Sequence, residues 1–268
     1  MSYWDFANST QIFQNHFLCT VDTINSFVYV FDEEATIINA CKDKEAYAQA
    51  MQALKKYRVN IIPTITNDVQ SASGTRTLKD AALISRILTD DALRQRHLQQ
   101  ILKITQETEA PGVDIDYENI NIRDKDRFSQ FIEELAGALH AQNKTLSVTV
   151  QHKTEDHERS GAGAIDWKKV SRYADRIIIM CYNYSSRLGK PGPICPPFWL
   201  KEIIRFARSQ IPREKICIAL PLHGYDWNKE QTVSVNSKTA QALIDKYNVT
   251  AEWDSRSASP YFIYFADG

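Results

Sequence analysis

The 268-residue chain lacks the features that mark a membrane-spanning or an exported protein. It has no apolar run close to the ~18 residues that a helix needs to cross a bilayer. Its start, MSYWDFANSTQIF, has no charged region followed by the apolar region of a signal peptide. We therefore expect a chain that is soluble as written and whose compartment the sequence does not indicate.

An excess of basic residues is also missing, since 32 Lys and Arg stand against 33 Asp and Glu. Binding to nucleic acid or anionic lipid needs such an excess, so neither is an expected partner. The five cysteines are widely spaced and form no CxxC pair, which disfavours a disulfide framework or a zinc site. We expect reduced, mostly buried thiols.

Short runs of β-branched and aromatic residues alternate along the chain with longer segments of helical period, which is the pattern of parallel βα units. Because no Gly/Ser-rich or Pro-rich linker interrupts them, we expect one domain over residues 1–268. The expected strands are 2–6, 24–31, 59–66, 112–118, 145–151, 176–183 and 215–222. The expected helices are 44–57, 78–108, 125–142, 165–173, 197–210 and about 237–247. The polar loop 151–166 is expected to be a surface excursion. This series favours a (β/α)8 barrel over a doubly wound sheet.

The segment PGVDIDYEN, residues 111–119, carries an acid at every second position: Asp114, Asp116 and Glu118. In a strand these three side chains share one face, and the apolar residues between them share the other. If the apolar face contacts helices, the acids line a barrel interior, with Glu118 nearest the C-terminal mouth. Stacked, poorly solvated acids repel one another, so at least one should have a raised pKa and serve as a proton donor. An exposed strand end and a divalent-metal site are the alternatives; the apolar flanks and the single strand of origin favour catalysis.

The spacing of these acids also limits the mechanism. Two carboxylates two residues apart on one strand are separated by ~6.6 Å along it and approach a bound sugar from the same side. The acid and nucleophile of an ordinary retaining glycosidase instead flank the bond at ~5 to 5.5 Å. A nucleophile other than these carboxylates is therefore needed.

The stretch GVDIDYE resembles the motif of glycoside hydrolase family 18, the chitinase-like barrels. The segment IIIMCYNYS, 177–185, resembles the sixth strand of that family. PGPICPPFWL, followed by IPREKICIALPLHGYDW at 211–227, resembles bacterial members related to spore-cortex and peptidoglycan-acting N-acetylglucosaminidases. The resemblance extends over nearly the whole chain from YWDF onward and implies an α/β fold of the (β/α)8 TIM-barrel type.

The resemblance implies substrate-assisted hydrolysis, in which the 2-acetamido oxygen of the substrate attacks the anomeric carbon. Glu118 would protonate the leaving oxygen and later activate water. Asp116 would orient the acetamide N–H and stabilise the oxazolinium intermediate, and Asp114 would bias Asp116 electrostatically. Tyr182 matches the tyrosine that donates a hydrogen bond to the acetamide oxygen.

Other positions are expected to bind substrate or to depart from the family pattern. Asn183 stands where the family usually has Asp, which keeps a hydrogen bond to the sugar and loses the charge. Pro111 stands where the full pattern usually opens with Asp. Met180 and Gln151 would line the pocket, or else be an ordinary core and an ordinary surface residue. Trp227 would stack on a sugar, or else pack against the protein.

We therefore expect a hydrolase of β-linked N-acetylglucosamine polymers, either peptidoglycan or chitin oligomers, with no metal and no cofactor. The alternative is a chitinase-like carbohydrate-binding protein that has lost turnover, and the intact Glu118, Asp116 and Tyr182 favour the enzyme. A metal-dependent phosphate-ester hydrolase is the third possibility, which insensitivity to a chelator would eliminate.

The last segment has two interpretations. A count of strands makes YFIYF, 261–265, the eighth barrel strand. In the resembling proteins, however, the equivalent of AEWDSRSASPYFIYFADG is a hairpin-like excursion that precedes a further helix and the last strand. On that register the barrel lacks its eighth strand, and its unpaired edges would invite a homodimer.

Overall fold

The structure is a computed structural model that describes residues 21–228 and 231–265. The chain divides into two compact units. The first takes in the described part of 1–151 together with 156–178 and 211–216, and the second takes in 152–155, 179–210 and the described part of 217–268. No helix within these described ranges has both the length and the apolar character that crossing a bilayer requires.

Strands and helices alternate through the first unit. Its elements are β1 Thr23–Phe31, β2 Ile37–Asn39, α1 Lys44–Lys56, β3 Asn60–Gln70, β4 Arg76–Thr77, α2 Ala81–Thr89, α3 Asp91–Glu107, β5 Gly112–Asp116, α4 Lys125–His140, β6 Thr145–Gln151 and α5 Trp167–Tyr173. Two strands, β7 Arg176–Met180 and β8 Ile216–Ala219, begin in the first unit and end in the second. The second unit also contains α6 Pro197–Gln210, β9 Gly224–Trp227, β10 Thr232–Val235, α7 Ser237–Tyr247, β11 Glu252–Asp254 and β12 Ser259–Tyr261.

Eight strands form one sheet in the order β2-β1-β3-β5-β6-β7-β8, with β4 paired to β3. The β1–β3, β3–β5 and β5–β6 pairs are parallel, and the short β2 and β4 pair antiparallel with their neighbours. Among the described residues no ladder closes this sheet. The parallel strands with helices between them confirm the α/β architecture of the barrel type.

Helix α4 buries one apolar face. Its apolar residues recur at spacings of three and four, and each is fully buried: Phe128, Phe131, Ile132, Leu135 and Leu139. All five residues of β5 are buried as well. Because both faces of β5 are buried, its acids Asp114 and Asp116 are shielded from water.

Several sequence-based boundaries were wrong. The segment 78–108 is two helices, because Asp90 ends α2 and its carboxylate accepts a hydrogen bond from the Leu93 amide at 3.0 Å, which caps α3. The strands predicted at 112–118, 176–183 and 215–222 end earlier, at Asp116, Met180 and Ala219. The strand predicted at 2–6 lies outside the described residues. The hairpin of β9 and β10 was not predicted.

The loop 151–166 is not merely a surface excursion. A short 3-10 turn at Gly161–Ala164 is largely buried, and the Gly161 amide donates to the Ile120 carbonyl at 2.8 Å. Gly161 has φ +76°, and a Cβ on Gly163 would lie 2.3 Å from the His157 carbonyl oxygen. Glycine is needed at both positions, for conformation at one and for space at the other.

The end of the described chain is a hairpin. β11 pairs antiparallel with β12, with Trp253 opposite Pro260, and neither strand joins the eight-stranded sheet. Of 261–265, only Tyr261 belongs to a strand. The hairpin interpretation is confirmed, and the assignment of this segment as an eighth barrel strand is wrong.

The four described cysteines are free thiols. Cys41 and Cys181 are buried, whereas Cys195 and Cys217 are partly exposed. The expectation of reduced thiols therefore fits these four, and the expectation that most are buried holds for two of them.

Candidate active site

The acids of β5 lie beside polar side chains of the two neighbouring strands. In the parallel register Thr64 of β3 is opposite Asp114, and Asp114 is opposite Ser147 of β6. Asp114 is 0% and Asp116 is 7% exposed, while Glu118 follows the end of β5 and its side chain is 12% exposed. Adjacent strands thus supply hydrogen-bonding groups to carboxylates that water hardly reaches.

Three hydroxyl groups hold the carboxylate of Asp114. Ser147 Oγ donates to it at 2.7 Å, Thr149 Oγ1 at 3.0 Å and Thr64 Oγ1 at 3.1 Å. Burial raises the pKa of Asp114 from 3.8 to about 6, even though these donors favour the ionised form. Asp114 therefore changes charge at a mildly acidic pH, directly beneath Asp116.

Asp116 is the most strongly perturbed of the three acids. Burial raises its pKa well above 3.8, and the charges of Glu118 and Asp114 raise it further, while the ammonium group of Lys79 opposes them. Its Oδ1 atom is buried and has no hydrogen-bond partner among the described residues. Because an unpaired buried acceptor is costly, this oxygen is the atom at which a bound group would donate a hydrogen bond. The prediction that at least one acid has a raised pKa is confirmed at two.

Both carboxylate oxygens of Glu118 are bound. Lys79 Nζ lies 2.5 Å from Oε1, and Gln151 Nε2 donates to Oε2 at 3.1 Å. The backbone of Glu118 is held too, since its amide donates to Asn67 Oδ1 at 2.9 Å and its carbonyl accepts from Asn67 Nδ2 at 2.9 Å. Two contacts thus hold the side chain predicted to be the acid, and two more hold its backbone just past the end of β5.

Sequence reasoning missed several of these partners. Ser147 and Thr149 alternate with apolar residues in TLSVTVQ, in phase with Gln151, so the period of two would have identified them. Lys79 and Asn67 carried no such signal, because their contacts with Glu118 join distant parts of the sequence.

In the second unit, Tyr182 and Asn183 follow Met180, the buried last residue of β7. Tyr225 donates its hydroxyl hydrogen to Asn183 Oδ1 at 2.8 Å, and His223 Nε2 lies 3.5 Å from the same oxygen. The rings of Tyr182 and His223 meet edge to face with centroids 5.8 Å apart. Tyr225 and His223 therefore hold the side-chain amide of Asn183. The sequence motif did not indicate either contact.

Trp227 ends β9 and is partly exposed. Its ring meets Tyr225 edge to face at 5.5 Å, and its Nε1 donates to the Ser186 carbonyl at 3.3 Å. Trp227 therefore packs against Tyr225 and still remains partly exposed. Sugar stacking by Trp227 stays a prediction.

The predicted site residues therefore fall into two groups. Asp114, Asp116, Glu118 and Gln151 come together in the first unit, and Met180, Tyr182, Asn183 and Trp227 belong to the second. The first group supplies the partly accessible carboxyl group of Glu118 next to the two buried carboxyl groups of Asp114 and Asp116. A partly accessible carboxyl group in such surroundings is suited to proton transfer. Within 21–228 and 231–265, no three His, Cys, Asp or Glu side chains are grouped as a metal site requires.

Several known proteins are similar to this chain. The cortical fragment-lytic enzyme of Bacillus anthracis is 29% identical over 192 residues, which cover 69% of this chain and 44% of that enzyme. The spore cortex-lytic enzyme SleL of Bacillus cereus superposes with a TM-score of 0.83 at 24% identity, over 98% of this chain and 59% of its own.

The chitinase of Chromobacterium violaceum superposes with a TM-score of 0.85 at 22% identity, over 99% of this chain and 81% of its own. The chain spans about half the length of the curated relatives it matches. The family model described as Glycosyl hydrolases family 18 matches residues 1–266, and the chain belongs to that family.

Proposed function

We propose that residues 1–268 act as one catalytic domain that hydrolyses β-linked N-acetylglucosamine polymers with retention of the anomeric configuration. The observation that carries the proposal is the arrangement at the end of β5. Glu118 is held there by side-chain and backbone hydrogen bonds, next to the buried and unpartnered Oδ1 of Asp116. Family membership supports glycan hydrolysis in general.

In the proposed reaction the substrate supplies its own nucleophile. Glu118 gives its proton to the glycosidic oxygen, the bond from the anomeric carbon to that oxygen breaks, and the acetamide oxygen bonds to the anomeric carbon. Asp116 accepts the acetamide N–H at Oδ1 and offsets the positive charge of the oxazolinium. Glu118, now a carboxylate, takes a proton from the water that opens this intermediate. The negative charge of Asp114 acts on Asp116 by raising its pKa.

The remaining residues are proposed to bind and orient the sugar. Tyr182 would donate its hydroxyl hydrogen to the acetamide oxygen, and Asn183 would hydrogen-bond a sugar hydroxyl without adding charge. Met180 and Trp227 would contact apolar faces of the sugar. Gln151 already donates to Glu118 and would keep the acid oriented.

Two substrate classes suit this chemistry. The relatives named as cortical fragment-lytic and spore cortex-lytic enzymes support peptidoglycan fragments, and the likeness to a chitinase supports chitin oligomers. Both contain a 2-acetamido sugar, which the proposed mechanism requires. We therefore propose the acetamide at C2, rather than the rest of the polymer, as the essential feature of the substrate.

The substitution Glu118→Gln tests the assignment of the acid. The amide keeps the shape of the side chain and loses the proton, so hydrolysis should fall by about 10²- to 10⁴-fold while oligosaccharide binding is kept. Turnover of a chromogenic N-acetylglucosamine oligomer and of peptidoglycan fragments is measured beside binding by calorimetry. Glu109→Gln, at an exposed glutamate, is the matched control. Comparable turnover in Glu118→Gln would remove Glu118 from the role of acid.

The same assays test the nucleophile. A cellobioside, which lacks the acetamide, should not be cleaved, and NMR of the products should show the retained anomer first. Efficient cellobioside hydrolysis or an inverted product would contradict substrate assistance. Binding by the wild-type chain without turnover would instead support the alternative of a chitinase-like binding protein.

We also propose a partner, a second copy of this chain. In the second unit the apolar side chains of Leu222, Ile263 and Phe265 are 94%, 71% and 90% exposed. Apolar groups of this size gain free energy when an interface covers them. The proposed contact is through the open edges of the sheet, since no ladder closes the sheet among the described residues.

A further inference from the structure

The proposed reaction assigns no role to the contact between Lys79 and Glu118. The Lys79 side chain is 42% exposed, but it places Nζ 2.5 Å from Oε1 of a carboxyl group that is only 12% exposed. An ion pair with one largely buried member is screened less by water than a pair on the surface. The ammonium group is therefore in direct, partly shielded contact with the group that is proposed to transfer the proton.

The fold holds Lys79 in place through its backbone. Lys79 has φ +56°, a conformation that residues other than glycine seldom adopt. Its amide donates to Asp68 Oδ1 at 2.9 Å, and the Asp80 amide donates to the Asn67 carbonyl at 2.8 Å. Asn67 Nδ2 also donates to the Asp80 carbonyl, at 3.3 Å, and Asn67 binds the backbone of Glu118 in both directions. One buried asparagine thus fixes the turn that carries Lys79 relative to Glu118.

Both side-chain contacts of Glu118 are made by groups that donate hydrogens, Lys79 Nζ and Gln151 Nε2. An ammonium group has hydrogens to donate and no lone pair to accept, so Lys79 gains most when Oε1 is negative. Negative charge develops on Glu118 as its proton moves to the glycosidic oxygen. An interaction that strengthens during this step stabilises the transition state more than the bound substrate, and only such interactions accelerate the step.

We propose that Lys79 is a positioning residue that holds Glu118 and stabilises the carboxylate formed as Glu118 protonates the leaving group. The inference rests on the proposed role of Glu118 as the acid. The proton passes from Glu118 to the glycosidic oxygen, the electron pair of the broken bond stays on that oxygen, and Lys79 keeps all of its protons. The positive charge of Lys79 also opposes the rise in the pKa of Asp116, and so acts in favour of the charged form that would face the oxazolinium.

The proposal predicts a dependence on the leaving group. A sugar hydroxyl leaves only with protonation, whereas a nitrophenolate of low pKa leaves with little help from an acid. Lys79→Met should therefore lower kcat/KM about tenfold or more on unactivated N-acetylglucosamine oligomers. It should change the rate less than about twofold on the dinitrophenyl glycoside of the same sugar. Lys79→Arg, which keeps the charge, should restore most of the lost activity.

The experiment measures kcat and KM for the wild type, Lys79→Met, Lys79→Gln and Lys79→Arg on a series of aryl glycosides of graded leaving-group pKa and on the oligomers. Lys55→Met is the matched control, because Lys55 forms an exposed ion pair with Glu109 at 2.9 Å and should leave every rate unchanged. Circular dichroism establishes that each variant is folded, and Lys79→Gln replaces Lys79→Met if the latter is not.

A steeper dependence of the rate on leaving-group pKa in Lys79→Met, reversed by arginine, supports the proposal. A loss that is equal across the series, or no loss, would overturn it, since a merely structural lysine affects all substrates alike. A failure of the proposed function would look different: the wild type itself would not hydrolyse any 2-acetamido glycoside.

Discussion

Asp114 combines full burial with three hydroxyl donors. The donors favour the carboxylate and burial favours the neutral acid; burial dominates, because the pKa is raised from 3.8 to about 6. Between these two values the folded chain binds more protons than the unfolded chain. The contribution of Asp114 to stability is therefore fully present below about pH 4 and is lost as the pH rises through about 6.

Asp114→Asn removes this proton linkage. Ser and Thr hydroxyls can both donate and accept, so they can bind the amide as well. Between about pH 4 and pH 7 the wild type should lose about 3 kcal/mol of unfolding free energy relative to the variant, which corresponds to a difference of about two pKa units. Urea unfolding at several pH values measures this. Asp126→Asn, at an exposed aspartate whose pKa is lowered by Lys169, is the control and should show no such loss. Parallel pH profiles for the wild type and Asp114→Asn would contradict the prediction.

At the scale of elements, β5 is joined to α3 and α4 by an aromatic cluster. The Tyr117 hydroxyl and His97 Nε2 are 2.7 Å apart, and the rings of both stack on Phe131. Burial lowers the pKa of His97 to about 3, so the ring is neutral. Its Nδ1 has no partner among the described residues. Since Tyr117 lies between Asp116 and Glu118 in the chain, this hydrogen bond anchors the end of β5 from its helical side.

Tyr117→Phe should therefore destabilise the fold. The change leaves both ring nitrogens of the buried His97 unpaired, which costs about 1–3 kcal/mol of unfolding free energy. Tyr173→Phe, at a partly exposed tyrosine of α5, should cost less than about 0.5 kcal/mol. Urea midpoints compare the two, and the double variant with His97→Leu should lose less than the sum of the single changes. Equal losses in the two tyrosine variants would show that the His97 contact contributes nothing.

At the scale of the whole molecule, self-association is the property to measure. Sedimentation velocity should show a dimer whose fraction rises with concentration, because burying exposed apolar side chains is favourable. Leu222→Asp should shift this equilibrium to the monomer. The control is Leu222→Met, which keeps an apolar side chain at the same exposed position and should leave the equilibrium unchanged. A wild type that stays monomeric at every concentration would remove the proposed partner.

Local patterns in the sequence were sufficient for much of the fold. The alternation of strands and helices predicted the α/β architecture, and the period of two in GVDIDYE placed Asp114 and Asp116 in a buried strand, with Glu118 just beyond its end. These predictions succeeded because side-chain direction in a strand or helix depends only on neighbouring residues. The break at Asp90 was missed although a capping aspartate marks it, since the apolar period continues through both helices.

The family was therefore recognisable from the sequence alone, and the sequence also singled out the three acids that we propose for the site. The tertiary structure decided which groups surround these acids. Hydroxyl groups donate hydrogen bonds to Asp114, and Lys79 forms an ion pair with Glu118. Asp116 Oδ1 has no hydrogen-bond partner among the described residues. Strand register and the turn held by Asn67 bring these groups together from separate segments of the chain. No local period encodes such a contact, because the charge and burial of a side chain depend on residues that only folding makes its neighbours.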